Sequence, residues 1–335
     1  MIGSYPQPNW LVDRELLTAK GVPRVRAHDV WRVADGDLAE AQEAATLVAI
    51  RDQERAGIDI ITDGEIGRES YFNHFANALG GVDPDEVGVG VNRVGGRSLV
   101  PLVNGPIVRT APVELDAARF LRANTSSATK VTVPGPFTLS QLAQNVHYVN
   151  QRELALAYAD AINAELRDLV AAGIDVVQID EPYLQANAEA ARRFAVEAIN
   201  RALAGVAGAT TVLHTCYGYA VYVKKKSGGY PYLAELADTV VDQIAVEAAQ
   251  PGLDLTMLAP LAGKKIVLGV LDLSTDVVEN VDTIADRIRA AFAVIAPENL
   301  VLAPDCGMKF LPRAVAFAKL STMVEAVALV RSELG

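Results

Sequence analysis

The feature that most constrains this chain is a recurrence of short, nearly continuous apolar runs that end in polar residues. They fall at 2–5, 58–62, 130–133, 176–180, 210–214, 243–247, 265–270 and 300–303. Val176-Val177-Gln178-Ile179 leads to Asp180-Glu181, and Leu300-Val301-Leu302-Ala303 leads to Pro304-Asp305-Cys306. A strand with one face in water alternates apolar and polar residues, whereas a run apolar throughout belongs to a parallel strand covered on both faces. Helical patterns fill the intervals at 37–56, 66–80, 115–123, 151–172, 187–204, 231–239, 253–259, 279–293 and 312–333, the first stopped by Gly57. Eight such β/α units in 335 residues predict an α/β fold, a (β/α)8 TIM barrel rather than a doubly wound sheet. No Gly-x-Gly-x-x-Gly follows an early strand, which argues against a dinucleotide fold. Residues 84–112, with Gly and Pro among short β-like pieces, read as a hairpin insertion. No linker rich in Pro, Gly or Ser interrupts the chain, so residues 1–335 are expected to form one catalytic domain.

Charge narrows the function. The net charge is −11 and the isoelectric point about 4.9, which excludes a surface built to meet nucleic-acid phosphates. The compact basic run Lys224-Lys225-Lys226 reads as a solvated loop, with contact to an anion as the alternative. No apolar stretch reaches the roughly 18 residues of a membrane span, and the first residues lack the pattern of a signal peptide. Two cysteines in the whole chain suit a reducing compartment, and the expected location is cytoplasmic.

In a barrel, the C-terminal strand ends form the active face. Here they carry Ser4, Asp63, Glu65, Asp180, Glu181, His214, Cys216, Glu247, Asp272, Asp305 and Cys306. Taken singly, each has a bland reading: a carboxylate that caps the next helix, a hydrogen-bonded core histidine, a cysteine acting as a small hydrophobe. Their coincidence on one rim changes that. His214 and Cys216 leave the fifth strand, Glu247 the sixth and Cys306 the eighth. An imidazole and two thiolates favour zinc, with a carboxylate or a substrate as fourth ligand. Two protein thiolates keep such an ion electron-rich, so a substrate thiol held there is ionised yet nucleophilic. This points to alkylation of a thiol. A hydrolase would use His and carboxylate ligands around a water.

Five segments carry a resemblance: Ile2-Gly3-Ser4-Tyr5-Pro6, Asp63-Gly64-Glu65, Gln178-Ile179-Asp180-Glu181-Pro182, His214-Thr215-Cys216-Tyr217 and Pro304-Asp305-Cys306-Gly307-Met308-Lys309. Over nearly its whole length the chain resembles the catalytic domain of cobalamin-independent methionine synthase. The resemblance implies a methyltransferase that makes methionine from homocysteine, with Zn2+ held by His214, Cys216, Glu247 and Cys306. It assigns Ile2, Gly3 and Ser4 to the substrate carboxylate. It makes Glu65 and Asp180 the catalytic carboxylates, facing the substrate ammonium. Two departures stand out. The chain has no counterpart of the family's large N-terminal half. Ser274 also stands where the family has a His associated with methyl transfer from folate. The implied partners are therefore a small-molecule thiol and a methyl donor, the donor being a methylcorrinoid, as on a corrinoid protein, or another small carrier rather than polyglutamated methylfolate. The alternative within the same superfamily is a thiol alkyltransferase such as epoxyalkane:coenzyme M transferase, although Glu65 and Asp180 favour an acceptor with an amino group. Tyr217, Tyr219, Tyr222, Tyr230 and Tyr232, just after the metal pair, either line a donor pocket by stacking or pack a loop, the second being the preferred reading.

Overall fold

In the computed structural model, which describes residues 1–91, 96–226 and 228–335, most of the apolar runs become strands. In chain order these are β1 (Ile60–Thr62), β2 (Gly80–Val91), β3 (Arg97–Val108), β4 (Ala128–Pro134), β5 (Gln144–Asn145), β6 (Val176–Asp180), β7 (Thr210–Thr215), β8 (Gln243–Val246), β9 (Lys265–Leu271) and β10 (Leu300–Pro304). One curled sheet runs β1-β4-β6-β7-β8-β9-β10, every neighbouring pair parallel. Its register sets the active rim: Pro134 lies opposite Asp180, and Asp180 opposite His214.

The sheet has seven strands where the sequence predicted eight, because residues 2–5 form no ladder. They nevertheless lie between the two edge strands. Met1 N donates to Ile60 O (3.3 Å), Tyr5 N to Gly64 O (2.9 Å), and Thr62 Oγ1 to Gly3 O (2.7 Å) on one side. On the other side Met308 N donates to Ser4 O (2.9 Å). These bonds are too scattered to count as a strand, yet they bring the segment to both open edges. Ile2 completes the interior, packing with Val176, Val212, Ala245, Val267 and Ala303, one side chain from each of β6 to β10. The architecture is thus a parallel α/β barrel closed by an irregular segment.

The expected hairpin is present but lies four residues earlier than 84–112, with β2 starting at Gly80 and β3 ending at Val108. β2 and β3 pair antiparallel, β5 adds to β3 in parallel, and residues 92–95 of the insertion lie outside the described residues. Helices Asp35–Arg55, Leu115–Ala123, Gln151–Ala171, Ala188–Ala202, Val281–Ala291 and Arg313–Leu334 match six of the predicted stretches. Asn150, Asn187 and Asn280 cap three of them by accepting from a backbone N–H three residues on.

Three predicted helices fail for local reasons. In 66–80 only Asn73–Ala76 is helical. Ser70 Oγ accepts from Phe72 N and Asn73 N, and Asn73 Oδ1 from Ser70 N, so short polar side chains take the donors a helix would use. The stretch 231–239 shrinks to a 3-10 turn at Ala234–Asp238, beside Pro231, and 253–259 becomes a 3-10 helix of equal length shifted to Leu255–Leu261, around Pro260. Among the described residues no helix is long and apolar enough to cross a membrane.

Candidate metal centre and its cavity

β7 carries His214 as its penultimate residue, with Cys216 just beyond its end, and β10 leads to Cys306. One ligand atom from each of the three lies within 4.8 Å of the others, and all three residues are buried. Asp180, level with His214 on the adjoining strand, places Oδ1 3.1 Å from its Nδ1. A carboxylate only accepts, so Nδ1 carries the hydrogen and Nε2 is left as a lone-pair donor. Nε2 is buried with no hydrogen-bond partner. This carboxylate–imidazole arrangement orients metal-binding histidines.

Electrostatics agree. Burial opposes charge on His214, but Cys216, Asp180 and Glu247 outweigh it and raise the imidazole to about 9. The adjoining Cys216 and burial push the Cys306 thiol well up. The cluster therefore holds protons tightly, as expected where a divalent cation would otherwise supply the positive charge. An orphaned imidazole nitrogen and two buried thiols are a donor set that fits a borderline-soft metal.

Glu247, the fourth expected ligand, lies beside this group and not within it. It follows β8 and is fully buried. Its Oε2 is ion-paired to Lys226 Nζ, and its Oε1 accepts from Tyr217 N (3.2 Å). Burial, reinforced by Cys216 and opposed by Lys226, raises its carboxyl to about 8. The Lys226 side chain is 1% exposed, so the basic run is not wholly solvated: Lys224 and Lys225 are exposed while Lys226 turns inward. Asp305 ties the same region together, accepting from Ala248 N, Ala249 N and Gln250 N (3.1, 2.9 and 2.6 Å). It thereby fixes the loop after Glu247 against the residue that precedes Cys306.

The predicted substrate residues converge on one space. Ile2, Gly3, Ser4, Glu65 and Asp180 line a cavity of about 720 Å³ together with His214, Cys216 and Cys306. Glu65 adopts a left-handed backbone (φ 53°) directly after Gly64 (φ 68°), a turn pinned by Asp63 Oδ1 accepting Glu65 N at 3.0 Å. That turn aims the Glu65 carboxylate inward. Oε1 accepts from Thr132 Oγ1 (3.1 Å), and Oε2 is buried without a partner. Burial lifts its carboxyl to about 7, against the pull of Arg68 and with the help of Asp180. Asp180 Oδ1 also accepts from Gln178 Nε2 (2.7 Å), so it serves the histidine as well as the cavity.

One contributor, Arg68, escaped the sequence reading. Arg68, fully buried, pairs with Asp63 and Glu114 (3.2 and 3.0 Å) and donates to Thr132 O (2.9 Å), bracing the Glu65 turn. Its signal was only its position five residues after Asp63. The tyrosine group divides. Tyr217 and Tyr230 pack as tilted rings with centroids 4.7 Å apart and Tyr232 donates to Ala191 O, as packing requires. Tyr219 and Tyr222 instead line the cavity, with Tyr219 OH 3.4 Å from Ser4 Oγ. Ser274 is not on this wall. It lines a smaller cavity of about 330 Å³ that shares Tyr219 and Gly307 with the large one.

A parallel barrel whose rim joins an imidazole and two thiols to paired carboxylates has the layout of an enzyme active site with a candidate metal centre. Residues 1–329 match the cobalamin-independent synthase catalytic domain, and the chain belongs to that family, a family of methyltransferases. It is 35% identical over 337 residues to a methionine synthase of Sulfolobus acidocaldarius, covering 100% of this chain and 92% of that protein. It is 33% identical over 339 residues to a methionine synthase of Saccharolobus solfataricus, covering 100% of this chain and 95% of that one. Among solved structures, a B12-independent methionine synthase from Shewanella sp. W3-18-1 in complex with selenomethionine superposes with a TM-score of 0.89 at 30% identity, covering 100% of this chain and 97% of that one.

Proposed function

We propose that residues 1–335 act as one catalytic domain, a zinc-dependent methyltransferase that moves a methyl group from a small donor to the thiol of homocysteine, giving methionine. The observation that carries this reading is the meeting of His214, Cys216 and Cys306 within 4.8 Å on the wall of a cavity that also holds Glu65 and Asp180.

In this reading His214, Cys216 and Cys306 hold the ion, with Glu247 as the neighbouring fourth group. Bound zinc would keep the substrate sulfur as a thiolate at neutral pH. The chain's own residues orient that sulfur. Glu65 Oε2, buried and unpaired, and the Asp180 carboxylate face the substrate ammonium, a charge-assisted contact that satisfies both. Ile2, Gly3 and the Ser4 hydroxyl receive the carboxylate. The donor fills the remaining space, and the sulfur attacks its methyl carbon in line as the carrier leaves with the bonding pair.

The bound selenomethionine of the Shewanella relative supports a methionine-shaped product. Family membership favours methyl transfer over the epoxide-opening alternative. The test supplies zinc-loaded protein with homocysteine and, in separate reactions, methylfolate, its triglutamate and methylcobalamin, and measures methionine by mass spectrometry. Methionine from one donor is the expected result. No methionine from any of them, together with no calorimetric binding of homocysteine, overturns the reading.

A further inference from the structure

Alternate residues of a strand share a face, so Val176, Gln178 and Asp180 of β6 point the same way. Val176 packs in the barrel interior with Ile2 and Val212. Gln178 and Asp180 therefore stand above it on the inward face, successively nearer the rim. Lys130 of β4 lies opposite Val176 in the register. Barrel interiors are ordinarily filled by branched apolar side chains, yet Lys130 and Gln178 are both buried there.

Their bonds form a chain that climbs to the rim. Lys130 Nζ donates to Gln178 Oε1 (2.9 Å), Gln178 Nε2 donates to Asp180 Oδ1 (2.7 Å), and His214 Nδ1 meets the same Oδ1 at 3.1 Å. An ammonium only donates and a carboxylate only accepts, so a single orientation of the amide serves both neighbours. Oδ1 is thus held from two sides. Oδ2 has no hydrogen bond among the described residues, and its side chain lines the cavity.

We propose that Gln178, locked by Lys130, is a positioning residue that pins Asp180 Oδ1 on the His214 ring and so leaves Oδ2 for the substrate ammonium. The inference rests on the substrate reading given above. Without the amide, the carboxylate is free to turn about its Cβ–Cγ bond, and one group then trades between ring and substrate. With it, any such turn breaks a charge-assisted hydrogen bond. The arrangement is a poor one for stability alone, because the Lys130 ammonium is buried against a neutral oxygen. Apolar side chains in place of such a pair should leave the fold as stable or more so.

The test compares the full-length parent with K130M and with K130M/Q178L, which removes both polar groups together. Urea unfolding at pH 7 should show the double variant at least as stable as the parent. In protein carrying nitrogen-15 histidine, with and without zinc, its His214 Nδ1–H should exchange with solvent faster than the parent's. Homocysteine binding to the zinc-loaded double variant should be about tenfold weaker by calorimetry, the scale found for partners behind a metal-binding histidine. K130M, which keeps Gln178, should retain most of the affinity. A double variant with the parent's His214 signal and affinity overturns the proposal. So does a K130M protein that loses as much as the double variant, since Gln178 would then do nothing by itself. Should the double variant fail to fold, Gln178→Glu decides at pH 8: it keeps an acceptor for Lys130 but sets a carboxylate against Asp180, and unchanged homocysteine affinity overturns the proposal. A parent protein that binds no homocysteine refutes the substrate reading instead, and the His214 signal still decides whether Gln178 holds Asp180 in place.

Discussion

Gly3→Ala tests the substrate end of the site without touching a metal ligand. A Cβ at position 3 would stand 2.4 Å from Glu65 Oε1, 3.3 Å from Thr132 Cγ2 and 3.5 Å from Glu65 Cδ. Ordinary contact lies near 3.5 Å, so the carboxylate must withdraw by about 1 Å. It has little room to do so, because the turn at Gly64 and Glu65 is fixed and the carboxylate is buried. The withdrawal breaks the 3.1 Å bond from Thr132 Oγ1 and moves the carboxylate from the place assigned to the substrate ammonium. One hydrogen bond to a charged group is worth about 1.5–3 kcal/mol, which corresponds to roughly a ten- to hundredfold loss of homocysteine affinity. Isothermal titration of zinc-loaded protein measures that loss, while metal content and the thermal unfolding midpoint establish that the centre and fold survive. Glu65→Gln should weaken binding similarly, and the double variant should fall short of the sum because both act on one contact. A folded Gly3→Ala protein that binds homocysteine as the parent does would refute the role given to Glu65.

Cys306→Ala should lose the metal and the activity together in a chelator competition, and full activity in that variant would refute its role as a ligand. Asp180→Asn should weaken homocysteine binding and, by releasing the His214 ring, lower metal affinity about ten- to hundredfold; unchanged values for both would remove Asp180 from the site. Lys130, whose Nζ donates to Gln178 Oε1 at 2.9 Å, is pushed down to about 8 by burial, with Asp180 opposing. Below pH 8 it is charged in folded and unfolded chains alike, and the burial penalty applies in full. Between about 8 and the unfolded value near 10.4 the folded state binds fewer protons, so this group's penalty is relieved as pH rises. Urea unfolding from pH 7 to 10 should show Lys130→Met gaining on the parent most at pH 7 and least at pH 10; a difference independent of pH would refute the assignment.

The barrel was legible because parallel strands announce themselves as apolar runs, and the meeting of His214, Cys216 and Cys306 because all three lie at strand ends on one rim. What the pattern hid was short-range polar competition and long-range burial. Ser70 and Asn73 look compatible with a helix until their side chains take its backbone donors. Residues 2–5 have strand composition, but at the seam between two edges they bond singly to each. Lys226 lies in a run of three lysines that composition assigns to solvent, and only the path of the chain turns one of them onto Glu247. Arg68 gave no periodic signal because its role is set by Asp63, Glu114 and Thr132 O, partners from separate segments.

The irregular segment at the seam has a consequence for how the molecule forms. Ser4 meets Met308 across 304 positions of chain, and Gly3 and Tyr5 meet Thr62 and Gly64 on the other side. Closing so long a loop is entropically late, since it needs β1 and β10 in place to receive it. Ile2, Gly3, Ser4 and Cys306 all line the cavity, so the binding site itself is among the last parts to be assembled. Refolding followed by amide exchange should therefore show β4, β6 and β7 protected before residues 2–5. Homocysteine binding should appear only with the slower phase, which makes the ligand a reporter of barrel closure.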